Sequence, residues 1–575
     1  MHPRRSPRDL PYQDLPVRGG MWLDDETRPP GYARVVVNML DGEVRRGSLS
    51  TRIVLNSNGI MAGGLFGIRT PQGTRYKLAL AGTTTPIGYC VDGSLTAYSS
   101  QFVTSYPRAT TTTYHANAVV GSAAIPATWG RIGNRAIVAG PLEGKIGVFE
   151  FPSSGRPVMR VAYGFDRTVE PYSAGDDAGP YLRTPPYAVA CCVHQNRVVV
   201  VDQNGVVWFS NAGDPDGWPY NNRFYLQDAL GAEATTCIAG AAEGHLVVSQ
   251  RDGLWVVEGG LADIATTTIA RRSVYGRGFV APGSVQTVDS GVVVGLSAGG
   301  PFMWANGNYI PAGGKVGDTH GPLDALFNGG HMDDFDLDRY RPLVATLPRA
   351  ISKYDRVSRT YTVAMGAVID SGDDPADHRL RLCWHIPTNR WWMEVHPPTR
   401  ALLSFSDTRG GVGNFRGDGY GDIFIEGVGD YDQKRTSIIA TSNVLIKGRL
   451  QVPFIETTPE RARPRFLHTT LRRDWNSRPE VSVLGDGRST QSEQTVTVAV
   501  ETRDRAFALG ETDGFVLGTA VVESDQTVTV KRGLPEGGVG RRVRVEYRTP
   551  STATAGHRFA LVSAQLELAG GGKTP

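Results

Sequence analysis

Arg197-Val198-Val199-Val200-Val201-Asp202-Gln203-Asn204-Gly205-Val206-Val207-Trp208-Phe209-Ser210 is the stretch that decides the fold. A run of β-branched residues halts at Asp-Gln-Asn-Gly and resumes as a second apolar run carrying a tryptophan. Asn-Gly is a strong hairpin signal, because both residues tolerate positive φ at low cost. The stretch therefore reads as two antiparallel strands joined by a tight turn.

The design returns along the chain. Leu246 to Gln250 turns at Arg251-Asp252-Gly253 and comes back as Leu254-Trp255-Val256-Val257. Val292 to Leu296 turns at Ala298-Gly299-Gly300 and comes back as Pro301-Phe302-Met303-Trp304. Leu380 to His385 turns near Pro387-Thr388-Asn389 and returns as Arg390 to Val395, with Trp391 and Trp392. Further units lie at Gly73 to Gly82, Gly133 to Gly140 and Gly419 to Ile425. No helical apolar period is sustained over four turns. Units of several strands, recurring irregularly every ~45 to 70 residues, mark a β-propeller with loop insertions. The expected fold is all-β: an irregular propeller of six to seven blades over residues 51–450, preceded by an N-terminal arm and first strands over 1–50. One blade cannot bury both of its faces, so Val and Trp side chains fill the space between blades.

Gln451 to Trp475 is rich in Pro and Arg and reads as a connector. Beyond it the alternation is clean in Gln494 to Val500, Gln526 to Val530, Arg542 to Tyr547 and Phe559 to Leu568. Period two with one polar face predicts antiparallel sheets, so residues 451–575 are expected to hold the connector and a C-terminal antiparallel β-sandwich. The Gly-rich end, Ala569 to Pro575, is expected to fray.

Composition agrees. Gly 70 and Pro 36 show no Gly-X-Y period and sit among Val and aromatic residues, so they mark tight turns rather than collagen or disorder. The formal charge of +3, from 60 basic and 57 acidic residues, gives no general case for nucleic-acid binding. The sequence has no apolar run long enough for a membrane helix, so no stable membrane insertion is expected. The opening Met1 to Pro16 has basic residues but no apolar core and reads as an extended arm, not a secretory leader. Cys90, Cys191, Cys192, Cys237 and Cys383 form no CxxC pair. They read as buried free thiols of a protein folded in a reducing cytoplasm.

Several motifs have chemical potential, and each also has a simpler reading. Gly295-Leu296-Ser297-Ala298-Gly299 matches the nucleophile elbow of serine hydrolases, but that elbow must open a helix, and Gly300-Pro301 followed by Phe302-Met303-Trp304 reads as a strand. A hairpin turn is expected. Asp333, Asp334, Asp336 and Asp338, and likewise Asp418, Asp422, Asp430 and Asp432, could offer oxygens to calcium, but lack the spacing of a calcium loop. Solvated turns are expected there. A carboxylate pair for glycoside hydrolysis stays open, because its separation is a three-dimensional quantity. His378, His385 and His396 have no metal-ligand spacing and read as structural or surface histidines. Arg461, Arg463, Arg465, Arg472 and Arg473 could face phosphates, though a solvated face or a subunit seam is the simpler reading. Arg416-Gly417-Asp418 carries no weight as an adhesion motif. No catalytic, cofactor-binding or metal residue is therefore assigned, and the chain is not expected to be an enzyme.

Taken in order, these segments resemble the propeller-bearing tail nozzle or hub proteins of short-tailed bacteriophages, known also as packaged-DNA stabilisation proteins. Ala33 to Met39 with Arg45-Arg46-Gly47 is similar to the family's opening. Val206 to Pro219 resembles its signature, a strand ending in a Ser-x-x-Gly-Asp-Pro-x-x-Trp loop. Leu246 to Val257, Arg277 to Ser284, Tyr354-Asp355-Arg356 with Thr360 to Val363, Asn389 to Trp392, and Gly540 to Val545 resemble its later blades and closing strands. Gly366 to Asp377 departs as an insertion, which leaves the place along the tail open. The resemblance implies a virion tail component that assembles as a ring, often a hexamer, below the portal and its adaptor and near fibre, spike or needle proteins. Such a ring retains packaged DNA and forms the ejection channel, meeting the genome transiently and using no cofactor. A near-neutral charge would suit a channel that must not grip DNA. Two other functions compete. A lectin-like receptor-binding tip would use loop aromatics such as Trp218 and Tyr220. A propeller glycosidase would be expected to carry repeated Asp-boxes, which this sequence lacks.

Overall fold

The computed structural model describes residues 12–15, 21, 32–41, 43–54, 60–81, 87–92, 101–102, 126–140, 142, 144–151, 158–162, 187–202, 204–219, 222–226, 235–240, 245–250, 253–261, 268–271, 278–288, 292–305, 308–315, 323–328, 338–370, 377–406, 412–436, 440–452, 455–456, 462–472, 479–485, 494–497, 527–533, 542–550, 553 and 559–570.

The opening stretch forms the predicted hairpin. Arg197–Asp202 pairs with Val206–Phe209, with Val201 opposite Val207. The turn differs in detail from a two-residue Asn-Gly loop. Of Asn204 and Gly205 only Gly205 has positive φ, at 77°. Asp202 builds the turn instead. Its Oδ1 accepts from the N–H of Asn204 and of Val206, and its Oδ2 accepts from Trp208 Nε1 at 3.0 Å. Asp418 repeats this in a distant unit, accepting from the N–H of Tyr420 and of Asp422, with Gly421 at φ 86°. A buried carboxylate that satisfies turn amides replaces the water an open turn would need.

Seven such units form the propeller, six of them as four-stranded antiparallel meanders of consecutive strands. Blade one is Ile60–Arg69, Arg75–Ala81, Ile87–Asp92 and Gln101–Phe102. Blade two is Thr128–Ile132, Arg135–Ala139, Gly147–Glu150 and Val158–Val161. Blade three is Ala188–His194, Arg197–Asp202, Val206–Phe209 and Arg223–Tyr225. Blade four is Thr235–Gly240, Leu246–Gln250, Gly253–Glu258 and Thr268–Arg271. Blade five is Gln286–Thr287, Val293–Ser297, Gly300–Ala305 and Asn308–Pro311. Blade six is Ile351–Asp355, Thr360–Met365, His378–His385 and Arg390–Thr399.

Blade seven closes the ring by a different route. Ala401–Ser406, Val412–Gly417 and Asp422–Glu426 supply three strands, and the fourth is Ser48–Val54 from the other end of the chain. This latch strand runs antiparallel to Asp422–Glu426, with Asp422 opposite Val54 and Glu426 opposite Ser48. Asp432–Arg435 and Thr441–Val444 extend the sheet outward. The first strands of the blades adjoin in order from one to seven and back to one, so the propeller is a closed seven-membered ring.

Separate apolar clusters fill the gaps between blades. Ile137, Val148, Val198, Val200 and Trp208 share one between blades two and three. Val199, Val201, Val207, Val248, Trp255 and Val257 share the next. Small residues stand where the inner strands converge. A Cβ on Gly67 would sit 2.1 Å from the Phe405 ring, and one on Gly130 would sit 2.7 Å from Val193.

The C-terminal sandwich is fused to blade six. The outer strand Arg390–Thr399 pairs in parallel with Val35–Val37, which pairs with Arg449–Gln451, then Arg542–Arg548, Glu480–Gly485 and Gln494–Thr497. A second sheet orders Tyr12–Asp14, Leu561–Gly570, Ala462–Arg472 and Thr527–Gly533. Leu467, Leu471, Leu561 and Leu566 of this sheet share one core with Val481, Val545 and Tyr547 of the other. Thr469 and Tyr547 hydrogen-bond across it at 3.1 Å. The sandwich thus draws strands from the 1–50 stretch as well as from 451–575. The stretch read as a connector is mostly a strand, Ala462–Arg472, in the interior of its sheet. Its alternation of Leu467, Thr469 and Leu471 is masked by Arg463, Pro464 and Arg465, and Pro464 sits beside a register shift, where a missing N–H is tolerated.

Candidate functional site

The seven inner strands enclose a cavity of about 810 Å³ on the propeller axis, lined by residues of every blade.

Polar bonds tie neighbouring blades around this cavity. Trp129 Nε1 of blade two donates to Gly63 O of blade one at 2.7 Å. Thr287 Oγ1 of blade five donates to Gly240 O of blade four at 2.7 Å. Gln286 reaches Ser352 of blade six, and Asn414 of blade seven donates to Asp355 of blade six at 3.2 Å. The loop Ser210 to Trp218 joins in. Asp216 takes a bidentate pair from Arg160 of blade two at 2.7 and 2.6 Å. Burial opposes the Arg160 charge, but the bonds to Asp216 and Glu150 raise its pKa above the ordinary value.

A buried charge cluster lies where blade six, blade seven and the latch meet; of its members, Arg416, Asp422 and Asp432 stood out in the sequence only as loop residues. Arg45 donates to both oxygens of Asp432, at 3.2 and 2.5 Å, and to the Val395 carbonyl of blade six at 2.7 Å. Ser48 of the latch donates to Asp432 at 2.9 Å. Arg416 donates to Ser48 at 3.2 Å and stacks on Phe424. Glu426 takes Arg381 at 2.5 Å and Lys353. Ser50 and Arg435 both bind Asp422. Burial alone would push Glu426 up, yet Arg381 and Lys353 hold it well below the usual carboxylate range. Burial lowers Arg416 to about 10. Burial also pushes Asp418 up to about 6, against the backbone N–H groups it accepts. His396 Nε2 donates to Glu394 at 2.7 Å, but burial and the charges of Arg381, Arg45, Arg416 and Lys353 depress its pKa well below 6.5.

These positions correct several expectations. Asp418, Asp422 and Asp432 are buried turn and pairing groups, not solvated ones, because each finds amide or guanidinium partners that replace water. Asp338 pairs with Arg341, while Asp333, Asp334 and Asp336 lie outside the described residues. Trp218 is 1% exposed, with Nε1 bonded to Pro215 O, so it packs in the core between blades two and three and offers no platform for a sugar. Tyr220 lies outside the described residues.

Other candidates fall as follows. Ser297 ends the second strand of blade five, is fully buried, donates to Gly300 O and accepts from Gly299 N, and the next strand starts at Gly300 without a helix. His378 is buried on Arg349 O, and His385 is bonded to Thr388. Arg463, Arg465 and Arg472 lie on one sandwich strand, and Arg461 and Arg473 lie outside the described residues. Cys191, Cys192, Cys237 and Cys383 are buried free thiols, and burial pushes Cys191 up to about 12. Among the described residues, no cluster of three or more His, Cys, Asp or Glu side chains could hold a metal ion.

Fold and site together define a closed seven-bladed β-propeller with a fused β-sandwich. No protein-family description matches the chain, and no curated protein matches it. Among solved structures, BBS1N in complex with ARL6DN, soaked with mercury or with lead, is similar over 67% and 69% of this chain and 98% and 100% of the other. The identity is 12% in both, with TM-scores of 0.35 and 0.36. The WD40 β-propeller domain of Doa1 is similar over 66% of this chain and 96% of that one, at 7% identity and a TM-score of 0.34. At such distance these likenesses carry no functional argument, and the propeller rests on its strand pairing.

Proposed function

We propose that this chain is a structural subunit of a bacteriophage tail, a nozzle or hub protein that assembles as a ring and forms part of the wall through which the genome is retained and then released. The observation that carries this reading is the unbroken ladder from blade six into the sandwich. Its path runs from Ile351–Asp355 out to Gln494–Thr497 with no intervening linker. Two modules joined by a continuous hydrogen-bond ladder have no hinge between them, which suits a wall element that bears pressure. The order of motifs along the sequence supports the same reading.

The axial cavity limits how such a wall would work. At about 810 Å³ it has no room for a duplex, whose major groove alone spans about 12 Å. A DNA conduit would therefore be enclosed between copies of the chain, by heterologous contacts that close into a ring. Electron microscopy of the purified protein and of particles tests this. Closed rings on the tail axis, together with heads that fill but leak when the protein is absent, are the expected results. A protein that stays monomeric at high concentration and is missing from the tail axis would refute it. Particles lacking the protein that hold their DNA but fail to adsorb would instead favour a receptor-binding tip.

A further inference from the structure

His396 stands at the seam of blade six, blade seven and the latch, and is 5% exposed. Its Nε2 donates to Glu394, so the neutral ring keeps its lone pair on Nδ1, and a proton taken from solvent must go there. Among the described residues, the buried Nδ1 has no hydrogen-bond partner. Two donors of the same cluster, Arg381 Nε and Arg416 Nη1, are also buried without acceptors. The carboxylates of the cluster are already in use. Glu394 takes Trp392 Nε1 and His396 Nε2, Glu426 takes Arg381 and Lys353, and Asp432 takes Arg45 and Ser48. Asp422 takes Ser50 and Arg435, and Asp418 takes the amides of its own turn. Burial keeps the Cys383 thiol of blade six protonated. A protonated His396 would therefore add one more unmatched donor, and a fifth positive charge beside Arg45, Lys353, Arg381 and Arg416.

Of these four cations, Arg45 is the one held outside any strand, between Glu43–Val44 and Ser48–Val54. Arg381 lies on His378–His385 and Arg416 on Val412–Gly417, each strand paired on both sides. Lys353 is fixed to Glu426. Arg45 Nη2 donates to the carbonyl of Val395, the residue next to His396. Repulsion at the ring is relieved most readily by withdrawing Arg45, which gives up Val395 O and Asp432 together. The latch beyond it is lightly tied. Ser48 meets Asp432 in a single parallel bridge, and the ladder with Asp422–Glu426 carries a register shift between Ile423 and Phe424.

We propose that this seam is an acid-released latch, in which a proton on His396 Nδ1 frees residues 45–54 from blade seven while the other blades stay folded. Burial and the four cations hold the His396 pKa well below 6.5 in the closed state. Once the seam opens the ring is solvated and titrates near its ordinary pKa of about 6.5. Opening therefore takes up a proton. It is indifferent to pH above about 6.5 and is favoured by up to about tenfold for each unit below. Asp418 has the opposite sign, because its raised pKa of about 6 favours the closed state as pH falls. Such a latch is independent of the tail function proposed above.

The test is hydrogen exchange of the full chain, read by mass spectrometry at about pH 7.5, 6.5, 5.5 and 4.5 and corrected for the intrinsic rate. Protection of Ser48 to Val54 should fall by up to about tenfold per unit below pH 6.5, while that of Val198 to Val201 in blade three holds level. Asp418→Asn, which removes the opposing contribution, should show the fall in full. His396→Gln keeps a donor for Glu394 but takes up no proton, so its latch protection should stay level between about pH 6.5 and 5. Circular dichroism at each pH establishes that the variants are folded, and His396→Asn replaces His396→Gln if that chain does not fold. Equal loss of protection in the latch and in blade three means global unfolding and overturns the proposal. Latch protection that stays level in the unaltered chain down to about pH 4.5 overturns it too, as does a fall equally steep in the His396 variant. None of these outcomes touches the axial rings expected in the electron microscope, whose absence would sink the tail reading alone.

Discussion

Removing the Arg45 guanidinium should loosen the closure of the propeller. Asp432 is 2% exposed and takes two nitrogens from Arg45, keeping only the Ser48 hydroxyl among its other named partners. Arg45→Ala leaves a carboxylate buried with its cation gone, which costs about 3–5 kcal/mol. If the propeller melts as a unit of roughly 400 residues, its unfolding entropy is about 0.84 kcal/mol/K, and a loss of ~4 kcal/mol lowers Tm by about 5 °C. Asp432→Asn should cost a comparable amount, because the Arg45 charge is then stranded. Replacing both at once, Arg45→Met with Asp432→Leu, should cost much less than the two single changes together, since two neutral side chains need no partner. Urea unfolding of the four proteins gives a double-mutant cycle, and a coupling of about 2 kcal/mol or more is expected. Limited proteolysis should cut the single variants faster within residues 43–54. Single changes that each cost under about 1 kcal/mol and add without coupling would refute the argument that this pair holds the latch.

Acid should weaken the same seam. His396 is held neutral when folded and takes a proton near pH 6.5 when unfolded, so its contribution is complete above pH 6.5 and is lost as pH falls, by up to about 1.4 kcal/mol per unit. Glu426 has the same sign and adds a second loss below about pH 4.5, so a stability profile flat from pH 7.5 to 5 would contradict the first and one flat from pH 4.5 to 2.5 the second. Asp418 has the opposite sign: its raised pKa of about 6 favours the fold below pH 3.8 and loses that contribution as pH rises through 6, so Asp418→Asn should be neutral or stabilising at pH 8 by thermal melt. Trp218→Ala should cost about 3–5 kcal/mol in chemical denaturation by opening a cavity between blades two and three, with no change in binding to host glycans. Gly47→Ala places a Cβ 1.9 Å from the Tyr431 carbonyl, so the latch must shift, and hydrogen exchange at Ser48 to Val54 should speed up markedly.

The hairpins were legible because their information is local. Val198 to Val201 and Val206 to Phe209 announce period and turn within one window, and so does Leu246 to Val257. Blade seven was legible only in part, since its fourth strand pairs Ser48 with Glu426, roughly two thirds of the chain away. Nothing in the local pattern of Ser48 to Val54 names that partner. The charge cluster was hidden for a related reason. Arg45, Arg381, Arg416, Glu426 and Asp432 each look solvated in sequence, and become a buried network only when three segments meet. Trp218 misled in the opposite direction: a tryptophan among Gly, Asp and Pro looks exposed, but its loop folds back on Arg160 and buries the ring. The strand Ala462–Arg472 was obscured by the prolines and arginines at its start.

One short stretch secures both of the joints between the sandwich, blade six and blade seven. Val35–Val37 bridges blade six to the sandwich by pairing with Met393 on one side and with Arg449 to Gln451 on the other. Asn38, in the left-handed region at φ 54°, then turns the chain while donating to Lys447 O and accepting from Val395 N and Arg45 Nε. Arg45 and Ser48 reach Asp432, and Ser48–Val54 completes blade seven. Residues 35–54 therefore tie the sandwich, blade six and blade seven with backbone ladders at both ends and a buried ion pair between. A force applied to the sandwich passes into the propeller through hydrogen bonds loaded together, and the ring cannot open at its seam without first breaking a charge pair that has no water to replace it.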